Sequence, residues 1–324
     1  MGDIPVIGID LGYGQVKVAG PGYRASFPAL VAEKVVWSES AGLVEWDNHH
    51  FLVGEAALSE QHHRYAVRMD KADTLEELAK YQVALALASR HYDSSVFGIA
   101  TGLPPMYWKS LPLRQQLVDK LSGSFRFKFE GRSYDITVAG VTVDPQAGAA
   151  FYDFLLTEDA EPADRELLGL RTITVDVGHR TTDLAFMAGR KAAMGSRSIL
   201  TAELGMWAVY EETARLLFAE HRLNLTPSDI DSYLRKGGSL KLSGSELLLG
   251  PYLAKAVEPV AHTLAAAVAR QTADLRLWDA VLLVGGGAPL FREVLTQQLG
   301  IPVRLARDPA YANAAGFFKR QLER

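Results

Sequence analysis

The chain has 324 residues, 48% hydrophobic and 22% charged, which is the composition of a globular protein large enough for two domains and excludes extensive disorder. The sequence contains no cysteine, and this excludes disulfides, thiolate zinc sites and a cysteine nucleophile. A formal net charge of −4, without a block rich in lysine and arginine, argues against direct nucleic-acid binding, and the apolar runs fall well short of a membrane helix of roughly 20 residues, so we expect a cytoplasmic protein.

The N-terminal segment predicts a strand that leads into a glycine-rich turn. Apolar residues at 4–9 form the strand, and Asp10 falls where it ends. Gly12 and Gly14 then permit a tight turn, after which an alternating strand carries Lys17. The pattern therefore predicts a hairpin with charged side chains at its mouth.

The rest of the first half predicts an inserted subdomain, a long helix and further strands. Residues 24–70 are richer in aromatic, histidine and charged residues, which is typical of an insertion. A helix is predicted at about 74–89, where Thr74 and Glu77 are spaced as in a capping box. Further strands are predicted at 15–19, 96–101 and 134–143.

The second half of the chain repeats the opening pattern. From about Arg171 a strand leads to Asp176 and Gly178, and a turn over 181–183 leads to another alternating strand. The two copies lie about half a chain apart. We therefore expect two related lobes that each offer one loop to a shared cleft.

The last part of the chain predicts helices and a strand that ends in glycines. Helices are expected within 203–240, where Thr226 marks a start, at about 259–273, and up to about Gly300. The apolar strand at 280–284 runs into a triglycine at 285–287. A flat ring can approach the backbone closely at such a triglycine.

These loops together predict a site for a nucleoside triphosphate that is split between two lobes. Backbone N–H groups in hairpins of small residues bind phosphate oxygens, and the hydroxyls of Thr181 and Thr182 add donors. Lys17 supplies a compact positive charge for a terminal phosphate. Asp10 and Asp176 can hold a magnesium ion through its waters, because Mg²⁺ prefers oxygen ligands and retains much of its hydration shell.

The ordered set of motifs resembles the actin superfamily of ATPases, and most of all the ParM/StbA branch of bacterial and archaeal actin-like proteins. The two phosphate loops of that family match residues 10–17 and 176–183, and its adenosine loop matches 283–288. Its two connecting segments match 143–151 and 309–317. Because these motifs follow the family's order along nearly the whole chain, the resemblance is specific.

The resemblance implies an α/β fold of the actin-like, ribonuclease H-like type, with two lobes, small inserted subdomains and a nucleotide cleft between the lobes. Lobe I would take residues 1–148 and 310–324, with its insertion at about 24–70. Lobe II would take residues 149–309, with its insertion at about 203–250.

The resemblance also implies roles for individual side chains. Gln146 would orient the water that attacks the terminal phosphate, and Asp10 and Asp176 would take part in catalysis through the metal that they hold. The residues expected to contact the nucleotide are Gly12, Tyr13, Gly14, Gln15, Lys17, Gly178, His179, Arg180, Thr181, Thr182, Asp183, Gly205, Glu211, Arg215, Gly285, Gly286, Gly287 and Ala288.

Two of these residues depart from the smaller side chains that many superfamily members have in the second phosphate loop. They are His179 and Arg180. An inward-pointing Arg180 would contact phosphate, but we favour an exposed position on the outer edge of the loop.

The leading functional hypothesis is a cytoskeletal ATPase. ATP, with GTP as the alternative, and Mg²⁺ would close the cleft, and protomers would add head to tail into dynamic filaments. By resemblance, such filaments segregate plasmid or other replicon DNA through an adaptor protein. Neither direct contact with nucleic acid nor contact with a membrane is expected.

Two other functions share this fold. A small-molecule kinase of the sugar-kinase or acetate-kinase type needs a carboxylate base beside its acceptor, and we see no convincing motif for one. A monomeric ATP-driven switch of the heat-shock chaperone type would carry a substrate-binding domain after lobe II, and none is expected here.

The histidine pairs at 49–50 and 62–63 suggest a metal site at first sight. Adjacent side chains point in different directions on helices and strands alike, and no acidic ligand pattern accompanies these pairs. We therefore leave the histidine pairs out of the predicted site.

Overall fold

The structure is a computed structural model that describes residues 4–33, 41–59, 64–65, 74–193, 199–242 and 244–323. Parts of the predicted insertion at 24–70, including the histidine pair at 62–63, lie outside these residues. None of the helices within the described ranges is both long and apolar enough to cross a membrane.

The first lobe is built on a large mixed sheet. Its strands in chain order are β1 (Val6–Leu11), β2 (Gln15–Gly20), β3 (Tyr23–Pro28), β4 (Leu30–Glu33), β5 (Leu43–Trp46), β6 (His49–Val53), β7 (Arg64–Tyr65), β8 (Val96–Leu103), β9 (Gly123–Phe129) and β10 (Arg132–Pro145). Among the described residues the spatial order is β3-β2-β1-β8-β10-β9-β5-β6-β4-β7. Strands β1, β8 and β10 are parallel neighbours, and the other pairs are antiparallel.

Helices α1 (Leu75–Tyr92), α2 (Pro105–Trp108) and α3 (Leu111–Leu121) belong to this lobe, and α4 (Ala150–Leu155) leads out of it. The alternation along β1 explains how the sheet is covered. Ile7 and Ile9 are fully buried in the core that includes α1, while Gly8 and Asp10 point to the opposite face. The catalytic chemistry expected at Asp10 therefore lies on the face away from α1.

The second lobe has a smaller sheet with the same kind of parallel centre. Its strands are β11 (Arg171–Val177), β12 (Thr182–Ala188), β13 (Lys191–Ala192), β14 (Ile199–Ala202), β17 (Ala280–Val284) and β18 (Val303–Leu305), and a separate hairpin is formed by β15 (Ser239–Leu242) and β16 (Ser245–Leu248). The described strands run in the order β13-β12-β11-β17-β18, with β14 also beside β12. Strands β11, β17 and β18 are parallel.

The helices of the second lobe are α5 (Met206–His221), α6 (Pro227–Arg235), α7 (Gly250–Gln271) and α8 (Ala288–Leu299). They share one apolar core with β11 and β17. The last helix, α9 (Ala312–Leu322), returns to the first lobe and packs against β1, β2 and β8.

Helices α4 and α9 cross between the lobes in close contact. Gly316 of α9 lies directly on the backbone of Ala149, where a Cβ atom would overlap the Ala149 carbonyl. Only glycine permits this approach, so the two connecting segments predicted at 143–151 and 309–317 pack tightly together.

Two local predictions are wrong. The helix expected to begin near Pro259 begins at Gly250, because Pro251 occupies its first turn and the helix continues through Pro259. The capping box expected at α1 is only half present. Thr74 accepts from the Glu77 backbone N–H at 3.3 Å, but the Glu77 side chain binds Lys80 in a buried ion pair at 2.6 Å.

Candidate functional site

A cleft of about 450 Å³ lies where the hairpins β1–β2 and β11–β12 meet. Most of the residues that the sequence predicts for the site line it. They are Asp10, Gly12, Tyr13, Gly14, Gln15, Lys17, Gln146, Asp176, Gly178, His179, Thr181, Asp183, Gly285, Gly286 and Gly287. The cleft is thus formed by both lobes together.

The register of the first hairpin places its charged groups side by side. Asp10 pairs with Lys17 across β1 and β2, and Lys17 Nζ lies 3.4 Å from Asp10 Oδ2. On the other side Gln146 Nε2 donates to Asp10 Oδ1 at 2.8 Å. Gln146 is itself fixed by its backbone N–H, which donates to the Leu103 carbonyl at 3.0 Å. The Asp10 carboxylate is therefore held between a cation and an amide.

The second hairpin has the same register but a different partner for its carboxylate. Asp176 pairs with Asp183 across β11 and β12, so this hairpin has an acid where the first has Lys17. Asp176 Oδ2 instead accepts from Asn313 Nδ2 at 2.6 Å. Asn313 Oδ1 accepts from the Ala147 backbone N–H at 3.0 Å. Asn313 thereby connects the β11–β12 hairpin to the segment that carries Gln146.

The triglycine at 285–287 lies directly beside the Asp176 carboxylate. Gly285 has a φ of +95°, and a Cβ atom on it would overlap Asp176 Oδ1 and the Val177 carbonyl. The Gly287 N–H donates to the Val177 carbonyl at 3.0 Å. A glycine at 285 is therefore required both by the backbone and by the space beside Asp176.

The N-terminus of α5 fixes the shape of the second phosphate loop. The backbone N–H groups of Met206 and Trp207 donate to the carbonyls of Gly178 and His179, at 3.0 and 2.7 Å. These N–H groups have no partner within their own helix, so the loop satisfies them. Gly205 precedes the helix and touches the loop backbone, which accounts for a glycine at this position.

His179 lies in an environment that keeps its ring neutral. Its ring centroid is 5.8 Å from that of Tyr210. A Cβ atom added to Gly14 would lie 3.0 Å from His179 Cγ and Nδ1, so the first hairpin packs closely against the ring. Burial lowers the pKa of His179 from 6.5 to about 4. Asp231 opposes this shift in pKa, while Arg235 and other cations add to it.

Two tyrosines of the cleft are also kept in their neutral form. Burial raises the pKa of Tyr13, and the neighbouring Tyr107 and Glu77 raise it further. Burial raises the pKa of Tyr210, and Asp231 adds to the effect, partly as a hydrogen-bond acceptor. Both hydroxyls are therefore donors at neutral pH.

The cleft has a further wall that the sequence did not predict. Its members are Met206, Tyr210, Asp231, Leu234, Arg235, Leu253, Leu290, Ala310 and Asn313. Most of this wall is apolar, as expected where a ring system is bound. Asn313 lies in the segment 309–317 that the sequence singled out, and Thr226 marked the helix that carries Asp231 and Arg235. No signal in the sequence marked the side chains themselves.

Three predicted contacts lie around Trp207, outside the cleft lining. Arg180 places its guanidinium over the Trp207 ring, 4.6 Å from the centroid. Glu211 accepts from Trp207 Nε1 at 3.0 Å. Arg215 is one turn further along, with a side chain 65% exposed and paired with Glu212.

Two more predicted residues are buried beside the cleft without lining it. Thr182 donates its hydroxyl to the Leu204 carbonyl at 2.6 Å, which joins β12 to the start of α5. Ala288 is fully buried at the start of α8.

The donor set of the cleft fits a magnesium ion. The carboxylates of Asp10 and Asp176 supply oxygen atoms from the two hairpins. Within the described residues no group of three or more His, Cys, Asp or Glu side chains could hold a metal by itself. The ion would therefore need phosphate oxygens and water to complete its shell.

The histidine pair at 49–50 lies away from this cleft. His50 Nε2 is 3.4 Å from Glu45 Oε1, and His49 stacks near Trp46 and Phe51. These contacts belong to the β5–β6 hairpin.

Two family models match the sequence. One, described as the N-terminal domain of actin-like proteins, matches residues 8–148. The other, described as the C-terminal part of the archaeal actin homologue, MreB-like, matches residues 174–297. A comparison with curated protein sequences gives no significant match.

Solved structures resemble the chain over nearly its whole length. The archaeal actin homologue Ta0583 superposes with a TM-score of 0.82 at 18% identity, covering 98% of this chain and 99% of its own. The structure of Ta0583 in complex with ADP superposes with a TM-score of 0.78 at 19% identity, covering 98% of this chain and 99% of its own. A chain of a 15-stranded ParM filament from Clostridium botulinum superposes with a TM-score of 0.78 at 21% identity, again covering 98% of this chain and 99% of its own. At these identities the likeness concerns the fold.

Proposed function

Because the chain belongs to the actin superfamily and has the two-lobed fold that its motifs predicted, we propose that it is an actin-like ATPase that binds ATP between its lobes and assembles into filaments. One observation carries the proposal. The two Asp-x-Gly hairpins face the same cleft, and Gln146 is hydrogen-bonded to Asp10 between them.

The phosphates of the nucleotide would lie between the two hairpin turns. Gly12, Tyr13, Gly14 and Gln15 line the cleft from one lobe, and Gly178, His179 and Thr181 line it from the other. We propose that backbone N–H groups of these two turns donate to the phosphates. Such N–H groups bind phosphate oxygens without bulky side chains in the way. Lys17 adds the compact positive charge that a terminal phosphate needs.

Gln146 is placed to position the attacking water. One end of its amide is occupied, because Nε2 donates to Asp10, and this fixes the orientation of Oε1. The carbonyl oxygen can accept from a water molecule and aim it at the terminal phosphate. When bound, Mg²⁺ would neutralise developing charge on the phosphates, held by Asp10 and Asp176.

The apolar part of the wall would receive the base of the nucleotide. Leu234, Leu253 and Leu290 line it, and the triglycine backbone also lines the cleft. Burial of a flat ring against leucines and bare backbone is favourable without any specific polar contact.

We propose that the two-lobed design also serves filament formation. A head-to-tail contact that repeats without closing gives a helical polymer, and nucleotide in the cleft would favour the lobe arrangement that makes this contact. The ParM filament among the structural relatives supports this step. For the cellular role we propose segregation of plasmid or other replicon DNA in the cytoplasm. The net charge of −4 is consistent with attachment through an adaptor protein.

Right-angle light scattering and phosphate release, followed in one sample after addition of Mg-ATP or Mg-GTP, test the proposal. We expect scattering above a threshold protein concentration, with phosphate release lagging behind it. Asp176→Ala should lose both signals, whereas the exposed Asp159→Ala should keep them.

Two outcomes would contradict the proposal. Flat scattering with phosphate release proportional to protein concentration would indicate a monomeric ATPase. Nucleotide consumption that requires an added sugar or carboxylate acceptor would instead indicate a small-molecule kinase.

A further inference from the structure

Arg235 crosses the cleft and touches the opposite lobe. It is the last residue of α6 in the second lobe, and its Nη2 donates to the carbonyl of Gly14, in the first phosphate loop, at 3.2 Å. That carbonyl is fixed within its own lobe, because it also accepts from the Ala29 N–H at 3.1 Å. A side chain of one lobe thus holds a fixed atom of the other.

The Arg235 guanidinium is held in place by Asp231 of the same helix. Its Nε donates to Asp231 Oδ2 at 2.9 Å, and the two side chains are only 13% and 4% exposed. Asp231 also lies near the Tyr210 hydroxyl and helps to raise its pKa. Because the planar fork of arginine offers several donors in fixed directions, one side chain can bind Asp231 and Gly14 together.

Helix α6 gives this contact a rigid base. Thr226 and Asp229 form a reciprocal capping box at its start, and Ile230 is fully buried in the core of the second lobe. Arg235 therefore cannot follow Gly14 if the lobes separate, unless α6 also moves.

We propose that Arg235 is a positioning residue that keeps the cleft closed over the phosphates through the Gly14 carbonyl, and so limits the rate at which nucleotide leaves. The proposal rests on the nucleotide-binding function proposed above. Gly14 lies in the turn that lines the cleft from the first lobe, where we propose that the phosphates bind, so a contact that holds this turn against the second lobe would retain the nucleotide.

The test is the dissociation rate of a fluorescent ADP from the full-length protein, measured by chase with excess unlabelled ADP. Arg235→Lys keeps the charge beside Asp231 but lacks the planar guanidinium that also reaches the Gly14 carbonyl. We therefore expect ADP to dissociate about tenfold faster. The double variant Arg235→Met with Asp231→Asn removes the ion pair without leaving a buried charge, and we expect a similar acceleration.

A matched control is Arg276→Met, which removes an arginine from an exposed ion pair with Asp274. Its dissociation rate should equal that of the wild type. The unfolding midpoint without nucleotide is measured for every variant, because a merely structural role would lower the midpoint and leave the rate unchanged.

The outcomes separate the two proposals. If the wild type binds fluorescent ADP and both variants release it at the wild-type rate, Arg235 does not hold the cleft, and the nucleotide-binding function stands. If the wild type binds no nucleotide, both proposals are wrong.

Discussion

Replacement of His179 by glutamine should remove a pH dependence from the stability of the protein. Burial holds the pKa of His179 at about 4, against 6.5 for an ordinary histidine, and Arg235, Arg180 and Lys17 lower it against the opposing effect of Asp231. The unfolded chain therefore binds a proton below about pH 6.5, while the folded chain does not until about pH 4. Below pH 6.5 protonation favours the unfolded state, so the stability that neutral His179 contributes is complete above this pH and is lost toward pH 4.

The difference between the two pKa values sets the size of the effect. It corresponds to about 3 kcal/mol once both states are titrated, and to about 2 kcal/mol between pH 7 and pH 5. The rings of Trp207 and Tyr210 surround the imidazole and maintain its burial. The wild type should therefore lose about 2 kcal/mol more than His179→Gln over this interval.

Urea unfolding at pH 5, 6 and 7, without nucleotide, measures this difference. Carboxylates that titrate in both proteins cancel, because only the change between pH values is compared. An NMR titration of the His179 ring gives the folded pKa directly. A ring midpoint near 6.5, or equal pH slopes for the two proteins, would refute the reasoning.

Two further predictions concern the cleft. Gln146→Ala should slow phosphate release in a single turnover by roughly a hundredfold, because the water loses its orientation, while the affinity for nucleotide changes little. Equal single-turnover rates would show that the amide is not involved. Gly285→Ala should lower the free energy of unfolding by about 2 kcal/mol, since φ there is +95° and the new Cβ would overlap a carboxylate oxygen. Gly286→Ala is the matched control, because no atom lies within 4 Å of its added Cβ, and equal losses in the two variants would contradict the argument.

The parts of the site that the sequence predicted are those made by local structure. A strand that ends in Asp-x-Gly and returns as a second strand places its carboxylate by register alone, and this holds for both Asp10 and Asp176. The repetition of the pattern then indicated that two such loops share a cleft. The triglycine was evident for the same reason, since its backbone requirement is local.

The residues that the sequence did not predict act over long separations. Asn313 is 137 positions from Asp176, and Arg235 is 221 positions from Gly14. A local pattern cannot report which distant atom a side chain will meet. Local rules also failed where burial opposed them, as at Glu77, whose carboxylate pairs with a buried lysine instead of capping its helix.

These two long-range contacts have different consequences for the opening of the cleft. Asn313, in one connecting segment, joins Asp176 of the β11–β12 hairpin to Ala147 of the other connecting segment. Gly316 already packs on the backbone there, so we expect this contact to survive a rotation of the lobes about the connecting segments. Arg235 joins the lobes through the phosphate loop itself, so its contact must break when the cleft opens. A nucleotide that binds both hairpins would therefore stabilise the closed arrangement together with Arg235, and loss of the nucleotide would weaken the closed state without disturbing the contact of the two connecting segments. On this reasoning we expect the contact of Arg235 with Gly14, and not the contacts of Asn313, to distinguish the open from the closed state.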